Sequence, residues 1–368
     1  MSALQVKIQD CDSVENSRSS RMAVPSASAS FSLPSRTFVK TIVKLFAKLI
    51  LKLWRWASSF VAIIFFLAWF YGGILPYAVG FIAIMSLTYH LCDTLLYQPE
   101  IPVESRLFIP SPASYGLPFE SLEIHTQDRV KLHAYLLKQQ NSRNGATLIY
   151  FHGNAGNIGH RLDNSKGLFT KLTCNILLLE YRGYGHSEGY PSEEGFYLDA
   201  QAAYDFVYNR EDLDSSKIIL FGRSLGGAVA IDLASRCDYR DRIRALIVEN
   251  TFTSIPDLAK VLFPVGVIRW IPRIFFKNRF ESSRKVSSVV CPTLLLSGLK
   301  DELIPPKHMD ELFKRCSSNM KKMSRFPEGS HNDTWHCKDY MPRLSEFIKE
   351  VLSITKEMKY DPYSDNVV

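Results

Sequence analysis

The sequence predicts an α/β fold, a mostly parallel sheet covered by helices, carried behind an apolar segment long enough to cross a bilayer. Three observations predict it. Short β-branched or Leu-rich runs alternate with helical patterns, some of those runs are apolar at every position, and residues 57–92 form 36 consecutive positions without Asp, Glu, Lys or Arg. Runs such as Ile176-Leu-Leu-Leu and Ile218-Ile-Leu-Phe suit central strands buried on both faces. Parallel sheets with helices on either side produce that burial.

The chain begins with residues 1–36, rich in Ser and Pro and without periodicity, a composition expected to stay disordered. No cleavable signal peptide is evident, because the first apolar run starts too far along. Across residues 37–56, Lys40, Lys44, Lys48 and Lys52 recur every fourth position among apolar residues. On a helix this gives a cationic stripe beside an apolar face, suited to anionic lipid headgroups; the plainer alternative is a solvated helix with one buried face. Residues 1–56 hold nine Lys or Arg against three acids, which accounts for +6 of the net charge of +7. The basic charge therefore points to a membrane surface and not to nucleic acid.

A spanning helix needs about 20 apolar residues, and the 57–92 stretch is longer than that. One tilted helix over roughly 70–91 competes with a shallow hairpin turned at Gly72-Gly73 and Pro76. The single span is preferred. Six cations from Arg36 to Arg55 then place the N-terminus in the cytosol, giving a type II protein of the endomembrane system whose following domain is lumenal or exterior. A hairpin would leave both ends cytosolic. Residues 93–120, dense in proline, read as an extended connector, residues 121–355 as the folded domain, and 356–368 as a tail.

Within the domain the expected strands are 122–124, 132–137, 146–151, 175–180, 217–221, 245–249, 292–296 and 323–326. Residues 252–283 fall between two of them and alternate aromatic and aliphatic residues with Arg and Lys. They form either a small cap that meets a bilayer or acyl chain, or an amphipathic helix that covers the sheet. Seven cysteines are scattered without a C-x-x-C pair. That pattern argues against a disulfide framework or zinc site and for free thiols, with one bridge conceivable in an oxidising lumen.

The most informative motif is Lys217-Ile-Ile-Leu-Phe-Gly222-Arg-Ser224-Leu-Gly226-Gly227. A run of strand character leads into G-x-S-x-G and then a small-residue helix. A serine on so tight a turn needs neighbours without side-chain bulk, and the helix start directs its N–H groups toward developing negative charge. Thr147-Leu-Ile-Tyr-Phe-His152-Gly153-Asn154 is a second strand-to-loop passage. Its Asn154 amide, with that of Leu225 after the serine, would form an oxyanion hole. His152 is assigned to loop shape and takes no proton. The acid is expected after the next-to-last strand, where Asp301 is preferred to Glu302 and Asp310. The base is expected after the last, where His331 is preferred to His336, and His308 is out of order. Ser224, Asp301 and His331 follow one another in the chain order of a hydrolase triad.

Other motifs exclude rival chemistries. Tyr181-Arg-Gly-Tyr-Gly-His-Ser-Glu-Gly189 lacks the Lys-Ser/Thr of a phosphate loop and reads as a tight structural loop braced by Arg182. No H-E-x-x-H or other metal-ligand spacing occurs, and no H-x₄-D acyltransferase box, so neither a metal nor a cofactor is expected.

Taken together, His152-Gly-Asn-Ala-Gly-Asn-Ile-Gly-His, Tyr181-Arg-Gly-Tyr-Gly, Gly222-Arg-Ser-Leu-Gly-Gly and Gly329-Ser-His-Asn-Asp-Thr-Trp resemble the α/β-hydrolase superfamily, and within it the bud-emergence type. The resemblance covers roughly residues 69–351. It implies an α/β-hydrolase fold, a single-pass type II membrane protein and a Ser-Asp-His triad, which falls on Ser224, Asp301 and His331. The expected activity is hydrolysis of an ester or thioester, with membrane lipids and a lipidic or acyl substrate as partners. The alternative is a membrane scaffold with a silent triad. Asn332-Asp-Thr334 is the chain's one N-x-S/T sequon, and a glycan at Asn332 would crowd the mouth of the site, so little or no occupancy is expected.

Overall fold

The computed structural model describes residues 59, 62–70, 75–262 and 270–354. The Ser-rich start, the basic segment 37–56, cap residues 263–269 and the tail lie outside the described residues. The chain divides into two units, one ending at Phe81 and the other beginning at Ile82.

In the first unit, helix α1 (62–70) lies beside the opening turns of helix α2 (Leu75–Leu96). A β-carbon added at Gly80 would come 2.4 Å from Ile64 Cδ1, and the rings of Phe65 and Tyr77 meet edge-on at 5.8 Å. The uncharged stretch thus carries two packed helical segments, with Pro76 tolerated in the first turn of the second. α2 also runs farther than residue 91, so the first residues of the expected connector are helical. No helix among the described residues is long and apolar enough to cross a membrane.

The second unit holds an eight-stranded sheet in the order β1-β2-β4-β3-β5-β6-β7-β8. The strands are β1 (Phe119–His125), β2 (Lys131–Leu137), β3 (Thr147–Phe151), β4 (Asn175–Leu179), β5 (Ile218–Arg223), β6 (Ala245–Glu249), β7 (Thr293–Gly298) and β8 (Lys321–Phe326). β2 is antiparallel to both β1 and β4, and the rest of the sheet is parallel. All eight expected strands are present, with shifted ends.

The apolar runs owe their character to a two-sided core. Ile149, Phe151, Leu177, Leu220 and Val248 join one buried layer; Leu148, Tyr150, Leu178, Phe221 and Ile247 join the other. The first layer packs under α4 (Glu193–Tyr208), α5 (Leu225–Ser235) and, beyond α6 (Ile255–Leu262), α7 (Lys307–Arg315); the second packs under α3 (Leu162–Leu172) and α8 (Tyr340–Ser353). With side chains alternating across the pleat, every position of a central strand faces apolar neighbours. Each such Leu or Ile contributes about 1.5–3 kcal/mol by leaving water.

Strand order sets where a site can form. β3 pairs with β4 on one side and β5 on the other, so the connections after β3 and β5 depart to opposite sides. The crevice outside their carboxyl ends is the natural ligand position of an open α/β sheet.

Candidate active site

Ser224 stands at that crevice, between β5 and α5. Its backbone sits at φ 55°, ψ −121°, a left-handed conformation that costs a non-glycine residue about 1–3 kcal/mol. The surroundings hold it there. Ser224 N donates to Glu249 O at 2.9 Å, Gly227 N donates to Ser224 O at 2.9 Å, and the Thr251 hydroxyl donates to Ser224 O at 2.7 Å.

The flanking glycines are required by space. A β-carbon on Gly222 would lie 2.2 Å from Gly226 O, one on Gly226 would lie 2.0 Å from Phe151 O, and one on Gly227 would lie 2.5 Å from Thr251 Cβ. The turn is therefore compressed between β3, β6 and its own helix.

Three side chains named from the sequence meet in a row. Ser224 Oγ donates to His331 Nε2 at 3.1 Å, and His331 Nδ1 donates to Asp301 Oδ2 at 2.7 Å. The other oxygen of Asp301 accepts from Leu303 N at 2.9 Å and Ile304 N at 2.7 Å, which orients the carboxylate. Asp301 is shielded, with 1% of its side chain exposed, while the His331 side chain retains 12%. Glu302 is exposed, Asp310 pairs with Arg325, and His336 is exposed at the end of a 3₁₀ turn, Thr334–His336. His308 is buried at the start of α7, with Nδ1 2.9 Å from Thr253 Oγ1; burial pulls its pKa below the ordinary histidine value.

The loop after β3 lies against the serine, since a β-carbon on Gly153 would be 3.5 Å from Ser224 Cβ. Asn154 is held by other residues. Its side chain donates to Leu96 O at 2.9 Å, and its carbonyl accepts from Gln98 N at 3.0 Å and from the Tyr184 hydroxyl at 2.8 Å. Its own N–H has no hydrogen-bond partner among the described residues. Leu225 opens α5, where helix N–H groups lack internal acceptors. His152 is fully buried, its Nδ1 2.7 Å from Gly153 O and its Nε2 3.2 Å from Glu180 Oε1, an arrangement that fixes loop shape.

Several supporting residues escaped the sequence reading. Asn250, at φ 46° and buried, accepts from Gly298 N at 2.8 Å. Its amide donates to Ser330 O at 3.1 Å, to His331 O at 3.3 Å and to Thr334 Oγ1 at 3.0 Å, so one side chain ties the strand before Asp301 to the loop bearing His331. Arg223 Nη2 donates to His331 O at 2.7 Å and to Asn332 Oδ1 at 2.8 Å. Its Nε faces the buried Glu249 carboxylate at 3.4 Å, which also accepts from the Tyr340 hydroxyl. Burial pushes the Glu249 pKa up, with Arg223 opposing. The x position of G-x-S-x-G was the available signal for Arg223; nothing local marked Asn250.

Asn332 is exposed, and the Thr334 hydroxyl of its sequon is buried, donating to Ser330 O at 2.7 Å. No group of His, Cys, Asp and Glu suited to a metal ion occurs among the described residues. Cys92, Cys174, Cys237, Cys316 and Cys337 are free of disulfides.

Comparison with known proteins gives a consistent result. Residues 146–267 match the model of the alpha/beta hydrolase fold. The chain is 40% identical to protein bem46 of Schizosaccharomyces pombe over 284 residues, covering 76% of this chain and 93% of that protein. It is 40% identical to the alpha/beta hydrolase domain-containing protein WAV2 of Arabidopsis thaliana, covering 66% of this chain and 82% of that one. An uncharacterized membrane protein of Saccharomyces cerevisiae is 37% identical, with 76% and 96% covered. Among solved structures, the Pyrococcus furiosus esterase Pf2001 superposes with a TM-score of 0.54 at 18% identity, covering 66% of this chain and 99% of that one. Acetyl xylan esterase 1 from Thermoanaerobacterium gives 0.51 at 19%, with 64% and 84% covered. These structures share the fold.

Proposed function

This chain belongs to the bem46-type family of α/β-hydrolase domain-containing proteins, and from that premise we propose that it is a membrane-attached serine hydrolase acting on a carboxylic ester or thioester. The observation that carries the reading is the hydrogen-bonded row Ser224–His331–Asp301, with the serine at φ 55°.

The chemistry follows from these atoms. His331 Nε2 takes the Ser224 proton as Oγ attacks the acyl carbon, and Asp301 stabilises the imidazolium through Nδ1–H. The amides of Leu225 and Asn154 receive the oxyanion, each such donor being worth roughly 10²–10³ in rate. His331 then passes its proton to the leaving alcohol or thiol. A water molecule, deprotonated by the same imidazole, hydrolyses the acyl-enzyme.

The test is a fluorophosphonate probe. Labelling of the wild type that disappears in Ser224→Ala supports the reading; absent labelling, or equal labelling of both, sinks it and leaves a scaffold.

Membrane attachment is supported by the 36 uncharged residues of 57–92 and their cationic flank, and by the name of the Saccharomyces cerevisiae relative, a membrane protein. The acyl-lipid substrate class follows from that attachment. We take the topology as type II, with the hydrolase domain lumenal and Asn332 unglycosylated. Protease digestion of a C-terminal tag in intact microsomes would reject the lumenal side. A glycosidase-sensitive mobility shift lost in Asn332→Gln would reject the bare asparagine.

A further inference from the structure

We propose that buried Glu180 and His152 are positioning residues that set the direction of the Gly153–Asn154 peptide, and with it the aim of the Asn154 N–H at the oxyanion. The inference rests on the serine-hydrolase reading above and deepens it.

The loop after β3 is fixed peptide by peptide from the chain that follows β4. The Tyr181 hydroxyl donates to His152 O at 3.3 Å, and the Tyr184 hydroxyl donates to Asn154 O at 2.8 Å. Between those two carbonyls lies the peptide whose N–H is the proposed oxyanion donor. Its carbonyl, Gly153 O, accepts from His152 Nδ1 at 2.7 Å and from no other donor among the described residues. A trans peptide is planar, and its N–H points opposite to its C=O. Holding Gly153 O against the imidazole therefore turns Asn154 N–H away from that buried ring. The loop's other side meets the nucleophile, since a β-carbon on Gly153 would lie 3.9 Å from Ser224 Oγ.

Glycine makes the hold necessary. Without a β-carbon, Gly153 lets the following peptide turn over at little steric cost. The turned peptide would present Gly153 O, an acceptor, to the developing negative charge.

The imidazole is itself held. A carbonyl can only accept, so Nδ1 carries a hydrogen. Nε2 faces Glu180 Oε1 at 3.2 Å, a contact that needs a proton between the two atoms. The other oxygen of Glu180 accepts from Ile158 N at 3.1 Å, and the ring packs on that of Tyr181 at 4.5 Å between centroids. Neither side chain of the pair is exposed. A fully buried acid is costly to keep, and this one stands outside the proton path of the triad.

Two substitutions separate orientation from a merely structural role. In His152→Asn the side-chain amide takes the place of Nδ1, so it can hold Gly153 O while Glu180 loses its partner. In His152→Gln the amide takes the place of Nε2, so Glu180 keeps a partner and Gly153 O loses its donor. The full chain in neutral detergent micelles is assayed with p-nitrophenyl butyrate. His152→Gln is expected to lower kcat by about 10–100-fold while KM stays within about twofold. It should weaken binding of an alkyl trifluoromethyl ketone, whose adduct with Ser224 carries an oxyanion, by the same factor as kcat/KM. His152→Asn should lower kcat by about fivefold or less and lower the unfolding midpoint more. If His152→Asn does not fold, adding Glu180→Gln removes the unpaired charge and carries the same expectation for kcat. Equal losses in the two variants, the larger loss in His152→Asn, or a fall in kcat without weaker ketone binding overturns the proposal. Crystal structures of the variants read the peptide directly, with Gly153 O turned toward Ser224 expected in His152→Gln alone. That result without fluorophosphonate labelling of the wild type rejects the hydrolase and keeps the orientation. A labelled wild type with Gly153 O unturned in His152→Gln does the reverse.

Discussion

The edge of the sheet around Ser224 and the cap that follows β6 are built in opposite ways. Around the serine, backbone meets backbone with no spare volume, and buried Asn250 and Arg223 tie together loops far apart in the chain. The cap is held from outside. Arg273 grips Asp257 at 2.8 Å and Glu281 at 2.9 Å, Lys277 and Asn278 bind Asp93 at the end of α2, and Trp270, Ile274 and Phe275 remain 86%, 79% and 53% exposed. The contrast teaches where rigidity is needed: proton transfer tolerates little displacement, whereas a segment held by exposed ion pairs is free to shift at little cost.

Five experiments would break or sharpen this contrast, from the largest effect down. Ser224→Ala should lower kcat for p-nitrophenyl butyrate by roughly 10⁴–10⁶-fold while leaving the unfolding midpoint nearly unchanged. Gly226→Ala, which drives a β-carbon to within 2.0 Å of Phe151 O, should destabilise the protein by about 3 kcal/mol or more, read as loss of folded material. Asn250→Ala leaves Gly298 N–H without its acceptor and puts a worse residue at positive φ. A loss of about 2–3 kcal/mol should accompany a fall in kcat of around tenfold as His331 loosens. A denaturant titration and a kinetic assay check the two parts.

Cap substitutions should do much less. Arg273→Ala removes pairs whose arginine is 46% exposed, so the expected change is about 1 kcal/mol or less; a denaturation midpoint far below that of the wild type would erase the contrast. The smallest effect is one of pH. Burial raises the Asp257 pKa, but the Ser254 hydroxyl and Arg273 outweigh it and hold the carboxyl below its usual range. A carboxyl depressed in the folded state stabilises above its unfolded pKa, near 3.9. That contribution is lost as pH falls through the folded value. Below about pH 4 hydrogen exchange in α6 should therefore rise before exchange in β5, and Asp257→Asn should abolish the difference in onset.

The fold was legible because its strands are short and apolar on both faces, so Ile176–Leu179 and Ile218–Phe221 announce a covered sheet without knowledge of their partners. The positions of Ser224, Asp301 and His331 were legible for a related reason, each standing just past a strand whose run could be seen. Asn250 was not, since its partners Gly298 and Thr334 lie 48 and 84 positions away and nothing local records such a bond. Arg223 and Asn332, 109 positions apart, were hidden in the same way. The 57–92 stretch advertised apolarity without saying how many helices it makes, because hydropathy has no term for Ile64 packing on Gly80.

The end of α2 has a consequence of a different order. Leu96 and Gln98 are the splint for Asn154, and they continue directly from the helix that leads out of the uncharged stretch. Displacing Leu96 or Gln98 would therefore act one hydrogen bond away from Asn154, whose amide is the proposed oxyanion donor. Severing the chain just before Tyr97, the obvious way to make a tractable domain, would keep the Ser224–His331–Asp301 row intact and remove the Leu96 strut. If the proposed hydrolase reading holds, such a fragment is expected to take a covalent label yet turn over poorly.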